Sequence, residues 1–270
     1  MTDKILYPSI DLSISEKRYR TEDAINYSTV KKALHEYKTT AHYFAHELDP
    51  GKPEKKEKKD DSLVKGHATH VLIAQKDKFD SLYVQAPVSD KRTKPYLDTV
   101  KENPLKTVLT PKEWDDVHQM ASSVLSHPAS SILLSEGQAE VPMFWVDPIT
   151  GERCKALIDW LRPDHHLVDF KTTFDASLRY RGFDSIVRYK LKYSWQLAHY
   201  TNGYKEITGH EPAWTFIAVE NVLPFLTHAI SYSSKRIEEF KKEWRVALNQ
   251  YIFAKNNNWP GYSPYIEEVS

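Results

Sequence analysis

The chain has one cysteine, Cys154, among its 270 residues. A single thiol allows no internal disulfide, no four-cysteine zinc site and no iron–sulfur cluster held by this chain alone, and it suits a reducing compartment. Glycine is scarce too, at 8 residues, and with 40% hydrophobic and 27% charged content this excludes collagen-like and wholly disordered chains. No apolar run approaches the roughly 18 residues of a membrane span. Residues 1–16 lack an apolar stretch behind a basic one, so a cytoplasmic protein with no membrane partner is expected. Net charge is also missing, because 37 Lys and Arg balance 37 Asp and Glu. A polyanion must then be met by a local basic patch, not by bulk attraction.

The length suits one large domain with a substantial core. Residues 1–27, without a period, read as an N-terminal arm, and residues 28–270 as a single domain. A helix is expected from Ser28 to the break at Asp49-Pro50-Gly51, on the spacing of Val30, Ala33, Leu34, Tyr37, Ala41 and Phe44. The run from Lys52 to Lys59 reads as a solvated loop or a basic finger. Ser62 is the candidate cap of a second helix, which sets His67 and His70 about one turn apart. Thr110-Pro111-Lys112-Glu113 has the form of a capping box with proline at the first helical position. Beyond it the period becomes two, and residues 138–146, 152–161 and 166–173 read as an antiparallel meander. A helix over 185–207 with Gly209 past its end, strands over 214–220 and 225–231, and an amphipathic helix from Ser233 complete an α/β pattern.

The chemistry concentrates in Ala156–Leu161 and Leu167–Thr173. Alternate side chains of a strand share a face, so Asp169 and Lys171 point one way and Val168 and Phe170 the other. A short turn after Asp159 brings its carboxylate toward Asp169. The pair makes an oxygen site of the kind that holds Mg²⁺ together with waters and a substrate phosphate. Two acidic groups among apolar strands are costly without a cation. On exposed strands the same Asp-x-Lys triplet is merely an ion pair. Glu140, in the first strand, can add a third oxygen, and Gln196 and Tyr200 share a helix face that can form a polar wall. The stretch Arg179-Tyr180-Arg181-Gly182-Phe183, with Arg188, Lys190 and Lys192 nearby, can track phosphates and stack on an unpaired base; otherwise it is a loop and a solvated helix face.

Together these segments resemble the RecE-type exonucleases of the PD-(D/E)XK nuclease superfamily, which share a core with RecB-type nuclease domains. The likeness runs from about Ser28 to Tyr204. It rests on Gly66-His67-Ala68-Thr69-His70, Glu140, Asp159, Asp169-Phe170-Lys171-Thr172-Thr173 and Gln196-Leu197-Ala198-His199-Tyr200, in the family's order. Ile158, not proline, precedes Asp159, and the single cysteine excludes the iron–sulfur RecB branch. The resemblance implies a restriction-endonuclease-like α/β fold, a mixed sheet with an antiparallel meander flanked by helices, plus an N-terminal helical elaboration. It implies that His70, Glu140, Asp159 and Asp169 hold Mg²⁺, for which Mn²⁺ substitutes. Lys171 would orient or deprotonate the attacking water, and Gln196 and Tyr200 would meet the scissile strand. Arg179, Arg181, Arg188 and Tyr200 are the expected DNA contacts. The implied activity is exonucleolytic, from double-stranded DNA ends in the 5′ to 3′ direction, leaving 3′ single strands for an annealing protein in recombination. The implied assembly is a homo-oligomeric ring. A structure-specific or restriction-type endonuclease and a non-catalytic DNA-end-binding protein are the alternatives on the same core.

Overall fold

The computed structural model describes residues 5–52 and 61–263. Along them lie β1 (Ser9–Ile10), α1 (Glu16–Thr21), α2 (Tyr27–Lys31), α3 (Thr40–Tyr43), α4 (Asp61–Ala74), α5 (Lys76–Leu82), β2 (Tyr83–Gln85), α6 (Lys94–Glu102) and β3 (Thr107–Leu109). Then follow α7 (Pro111–Ser126), α8 (Pro128–Leu133), β4 (Gln138–Val146), β5 (Arg153–Leu161), β6 (His166–Thr173), α9 (Phe183–Ser185), α10 (Tyr193–Thr208), β7 (Ala213–Glu220), β8 (Thr227–Ile230) and α11 (Ser234–Asn256). The lysine-rich run lies outside the described residues from position 53 onward.

Period-two sequences give the six-stranded sheet, in the order β1-β4-β5-β6-β7-β8. β4, β5 and β6 form the antiparallel meander, whereas β6 and β7 run parallel. A parallel pair needs a long crossover, which α9 and α10 supply. Alternation in β7 sends Phe216 and Ala218 to one face and Ile217 and Val219 to the other. The first face packs on Leu197 of α10 and on Trp244 and Leu248 of α11; the second packs on Ala68 of α4 and on Val117 and Met120 of α7. The sheet is thus sealed between helices, each fully buried large apolar side chain contributing about 1.5–3 kcal/mol. At Gly203 an added Cβ would lie 2.6 Å from the Trp145 indole, so glycine lets α10 settle directly onto β4.

Several boundaries depart from the sequence expectations. The expected helix from Ser28 is two short ones, capped by Asn26 and Thr39, and each runs on into a π-helical turn. The helix expected from Ser185 breaks at Lys192, which takes a left-handed φ of 52°, so the π turn Ile186–Lys190 and α10 are separate. Ser62 lies within α4, which already includes Asp61. The Thr110–Glu113 capping box, the Ser233 cap and the Gly209 terminator are present.

Residues 5–22, within the stretch expected as an N-terminal arm, are built into the fold. β1 pairs with β4, and Ile5 and Tyr19 pack on Phe144. Lys155 of β5 is only 4% exposed and donates to the carbonyls of Tyr19 at 2.9 Å, Glu22 at 2.6 Å and Arg20 at 3.4 Å. These carbonyls close the C-terminal end of α1, where a cation is favoured. One buried ammonium thereby fastens α1 to the strand that carries Asp159.

Candidate active site

The sheet opens where the acidic residues lie. β5 and β6 pair only at Trp160–Val168 and Leu161–Leu167. One step on, where Asp159 faces Asp169, the strands part. The Asp159 carboxylate fills the gap, accepting the N–H of Phe170 at 2.9 Å in place of a ladder carbonyl. On the other side of β5, the pairs Ala139–Trp160 and Val141–Ile158 bracket Glu140 opposite Asp159. Glu140 has a left-handed φ of 53°, a conformation that costs of order 1–3 kcal/mol in a non-glycine residue and that gathers at functional sites.

α4 delivers the histidine. At Gly66 an added Cβ would lie 2.7 Å from the Thr172 hydroxyl, so this helix rests directly on β6. One turn later His70 packs on Phe170, ring centroids 5.1 Å apart, and its Nε2 stands 3.6 Å from both Glu140 Oε1 and Asp159 Oδ2. Those separations exceed a hydrogen bond, and Nε2 is buried with no hydrogen-bond partner among the described residues. Ligand atoms of His70, Glu140 and Asp159 all lie within 4.8 Å of one another. Asp169, 1% exposed, is engaged differently: one oxygen accepts the Gln196 amide and the other meets the Lys171 ammonium. Lys171 also lies 4.6 Å from the Tyr193 ring centroid.

Burial, reinforced by Asp159 and Glu16, pushes the Glu140 carboxyl up to about 8. Burial likewise raises Asp159, and raises Asp169 to about 7 with Asp159 adding to the rise. Burial drops His70 to about 4, so near neutral pH it is uncharged and keeps a lone pair to offer. Lys171 is held well above its usual range because Asp169 and Asp159 outweigh its burial. The carboxyl groups of Glu140, Asp159 and Asp169 thus lie near enough to disfavour one another's charge, and the Lys171 ammonium pairs with Asp169.

A cleft of about 400 Å³ opens over His70, Glu140, Asp159 and Tyr200, and α1 forms its far wall with Glu16, Tyr19 and Arg20. A second cavity of about 290 Å³ reaches Lys171 and Tyr193, and His67 and His70 line both. The sequence matches, over residues 27–269, the family described as "PDDEXK-like domain of unknown function (DUF3799)". The chain belongs to this PDDEXK-like family. No curated protein matches it. A crystal structure from Eubacterium rectale, described as a "Putative exonuclease", is similar with a TM-score of 0.64 and 14% identity, covering 92% of this chain and 88% of the other. At that identity the likeness establishes the restriction-endonuclease-like fold, which the mixed sheet and its flanking helices share.

For a PDDEXK-like domain the donor set fits a divalent cation. Carboxylate oxygens suit Mg²⁺ and Mn²⁺, and an unpartnered imidazole nitrogen adds a ligand that favours transition-series ions. Of the residues singled out in sequence, His70, Glu140 and Asp159 converge, with Asp169, Lys171 and Gln196 beside them. Tyr200 is 8% exposed and lines the cleft. Arg188 pairs with Asp184 at 3.6 Å and lies over the Tyr189 ring, whereas Arg179 and Arg181 are exposed. His67 bonds to the Tyr83 hydroxyl and lines both cavities. Glu16 and Arg20 had no sequence signal, because only the tertiary packing of the N-terminal segment brings them to the cleft.

Proposed function

We propose that this PDDEXK-like protein is a divalent-metal-dependent exonuclease acting on the ends of linear double-stranded DNA. In this reading it is RecE-type, proceeds 5′ to 3′, and leaves 3′ single strands for an annealing protein during recombination. It works as a homo-oligomeric ring, with Mg²⁺ or Mn²⁺ as cofactor. One observation carries the catalytic part: an unpartnered buried imidazole and two carboxyls converge beside an Asp–Lys pair at the point where the sheet parts.

His70, Glu140 and Asp159 would hold the cation, with Asp169 alongside. Such an ion polarises a phosphodiester and lowers the pKa of its bound water. The protein's own groups do the rest. Lys171, fixed by Asp169 and the face of Tyr193, sets a positive charge that would favour the negative charge building on the phosphoryl oxygens. Gln196 keeps Asp169 oriented and leaves its Oε1, buried and unpartnered, to accept from a water. Arg179 and Arg181 contact the phosphate backbone.

The test uses linear duplex labelled at one 5′ end and a closed circular duplex, with Mg²⁺ or EDTA and with Asp169→Ala as control. Metal-dependent release of the label, with the circle spared and the variant inactive, is the expected result. Cutting of the circle would replace the reading with an endonuclease, and binding without cleavage would reject catalysis.

A further inference from the structure

β6 ends at Thr173, and the chain that leaves it is pinned on every side. The Ala176 N–H donates to Glu220 Oε1 at 3.1 Å, and its carbonyl accepts from His228 Nδ1 at 2.9 Å. Ser177 N–H donates to Asp175 Oδ1 at 2.8 Å, and the Ser177 carbonyl accepts the N–H of Phe183 at 2.7 Å. At Gly182 an added Cβ would lie 2.3 Å from that carbonyl, so the loop closes only around glycine. Ala176 and Phe183 at its base are 3% and 0% exposed.

The crown is the opposite of the base. Phe174, Leu178 and Tyr180 are 73%, 56% and 90% exposed. Arg179 and Arg181 flank Tyr180 in the chain, neither within ion-pairing distance of a carboxylate among the described residues, and the Arg181 guanidinium lies 5.3 Å from the Tyr180 ring centroid. Among the described residues, neither the Phe174 nor the Tyr180 ring packs on another aromatic ring. A fixed aromatic face next to an uncompensated guanidinium suits a stacked base and its phosphate. In a duplex the faces of internal bases are covered by their neighbours, so only unpaired or terminal bases are open to such a surface. Phe174 follows Lys171 by three residues of extended chain, about 10 Å, which is within a few nucleotides of the candidate site.

We propose that residues 174–181 form a platform for single-stranded nucleic acid, with bases stacked on Tyr180 and Phe174 and phosphates met by Arg179 and Arg181. This rests on the nuclease reading and adds to it the path of the unpaired strand.

The test measures binding of fluorescein-labelled dT20 and of a blunt 20-base-pair duplex in EDTA, so that no cleavage is needed. Phe174→Ala with Tyr180→Ala should weaken dT20 binding by roughly tenfold or more, the loss expected of stacked bases, while duplex binding changes less than about twofold. Tyr180→Trp should preserve it. Arg179→Ala with Arg181→Ala should weaken both probes and flatten their salt dependence. Unaltered dT20 binding by the aromatic variant would overturn the proposal. So would loss of self-association in sedimentation with dT20 affinity intact, since the crown would then be a contact between copies. Hydrolysis of DNA with no stacking defect sinks the platform alone; a stacking defect in a protein that never cleaves sinks the nuclease reading alone.

Discussion

Replacing Glu140 by glutamine should make the metal-free protein more stable at alkaline pH and at the same time abolish its response to metal. The folded protein holds the Glu140 proton up to about 8, against 4.5 for an ordinary glutamate. The folded state is therefore favoured at low pH and loses that advantage as the pH climbs from 4.5 to 8. A difference of 3.5 units, at about 1.4 kcal/mol each, sets a ceiling near 5 kcal/mol. The side chain is 22% exposed to an open cleft, so roughly half of that, about 2 kcal/mol, is the expected effect after solvent screening. For a chain of this length that is about 4–8 °C in Tm. The assay is thermal unfolding in EDTA across pH 5 to 8.5, repeated with saturating Mn²⁺. Wild type and Glu140→Gln should differ least near pH 5 and diverge progressively up to about pH 8, the variant melting higher. With Mn²⁺ the order should reverse, because only the wild type retains the full ligand set. A Tm difference that ignores pH, or an equal metal response in both proteins, would refute the reasoning that an uncompensated carboxyl cluster waits there for a cation.

Two further outcomes follow from packing. Gly66→Ala gains about 1 kcal/mol of helix propensity but forces a clash with the Thr172 hydroxyl costing about 1–3 kcal/mol, so net destabilisation of about 1 kcal/mol and reduced cleavage are expected. Adding Thr172→Ala should recover both in a double-mutant cycle, and failure to do so would show that α4 does not rest on that contact. Lys155→Met should cost about 2–3 kcal/mol in chemical denaturation, since it strips the cation from three carbonyls, and should speed tryptic cleavage of α1 at Arg18 and Arg20 while raising KM for DNA more than it lowers kcat.

How much was legible in sequence depends on the range of the interaction concerned. The meander, the Thr110 capping box and the Ser233 and Gly209 boundaries follow from neighbours a few residues apart, and they are present in the structure. The breaks at Tyr37–Thr39 and at Lys192 escaped notice because the apolar spacing continues across them, and periodicity alone does not register a left-handed residue. The parallel β2–β3 pair has strands of three residues, too short to show alternation. Within the candidate site, Asp159, Asp169 and Lys171 stand out through strand spacing, Gln196 and Tyr200 through a shared helix face, and the role of His70 entered through family resemblance. Glu16, Arg20 and the cleft-facing role of His67 were invisible, because each depends on an element distant in sequence coming to lie against the sheet.

The ammonium of Lys155 bears on how this protein can be shortened. The family match begins at residue 27, past α1 and its three accepting carbonyls. A protein trimmed to that span would strand a buried positive charge with nothing to receive it. It would also uncover Phe144, now fully enclosed beneath Tyr7 and Tyr19, and remove the cleft wall that carries Glu16 and Arg20. The boundary of sequence kinship therefore falls inside the unit that folds, and residues 5–26 act as a structural keystone laid from outside the recognised domain.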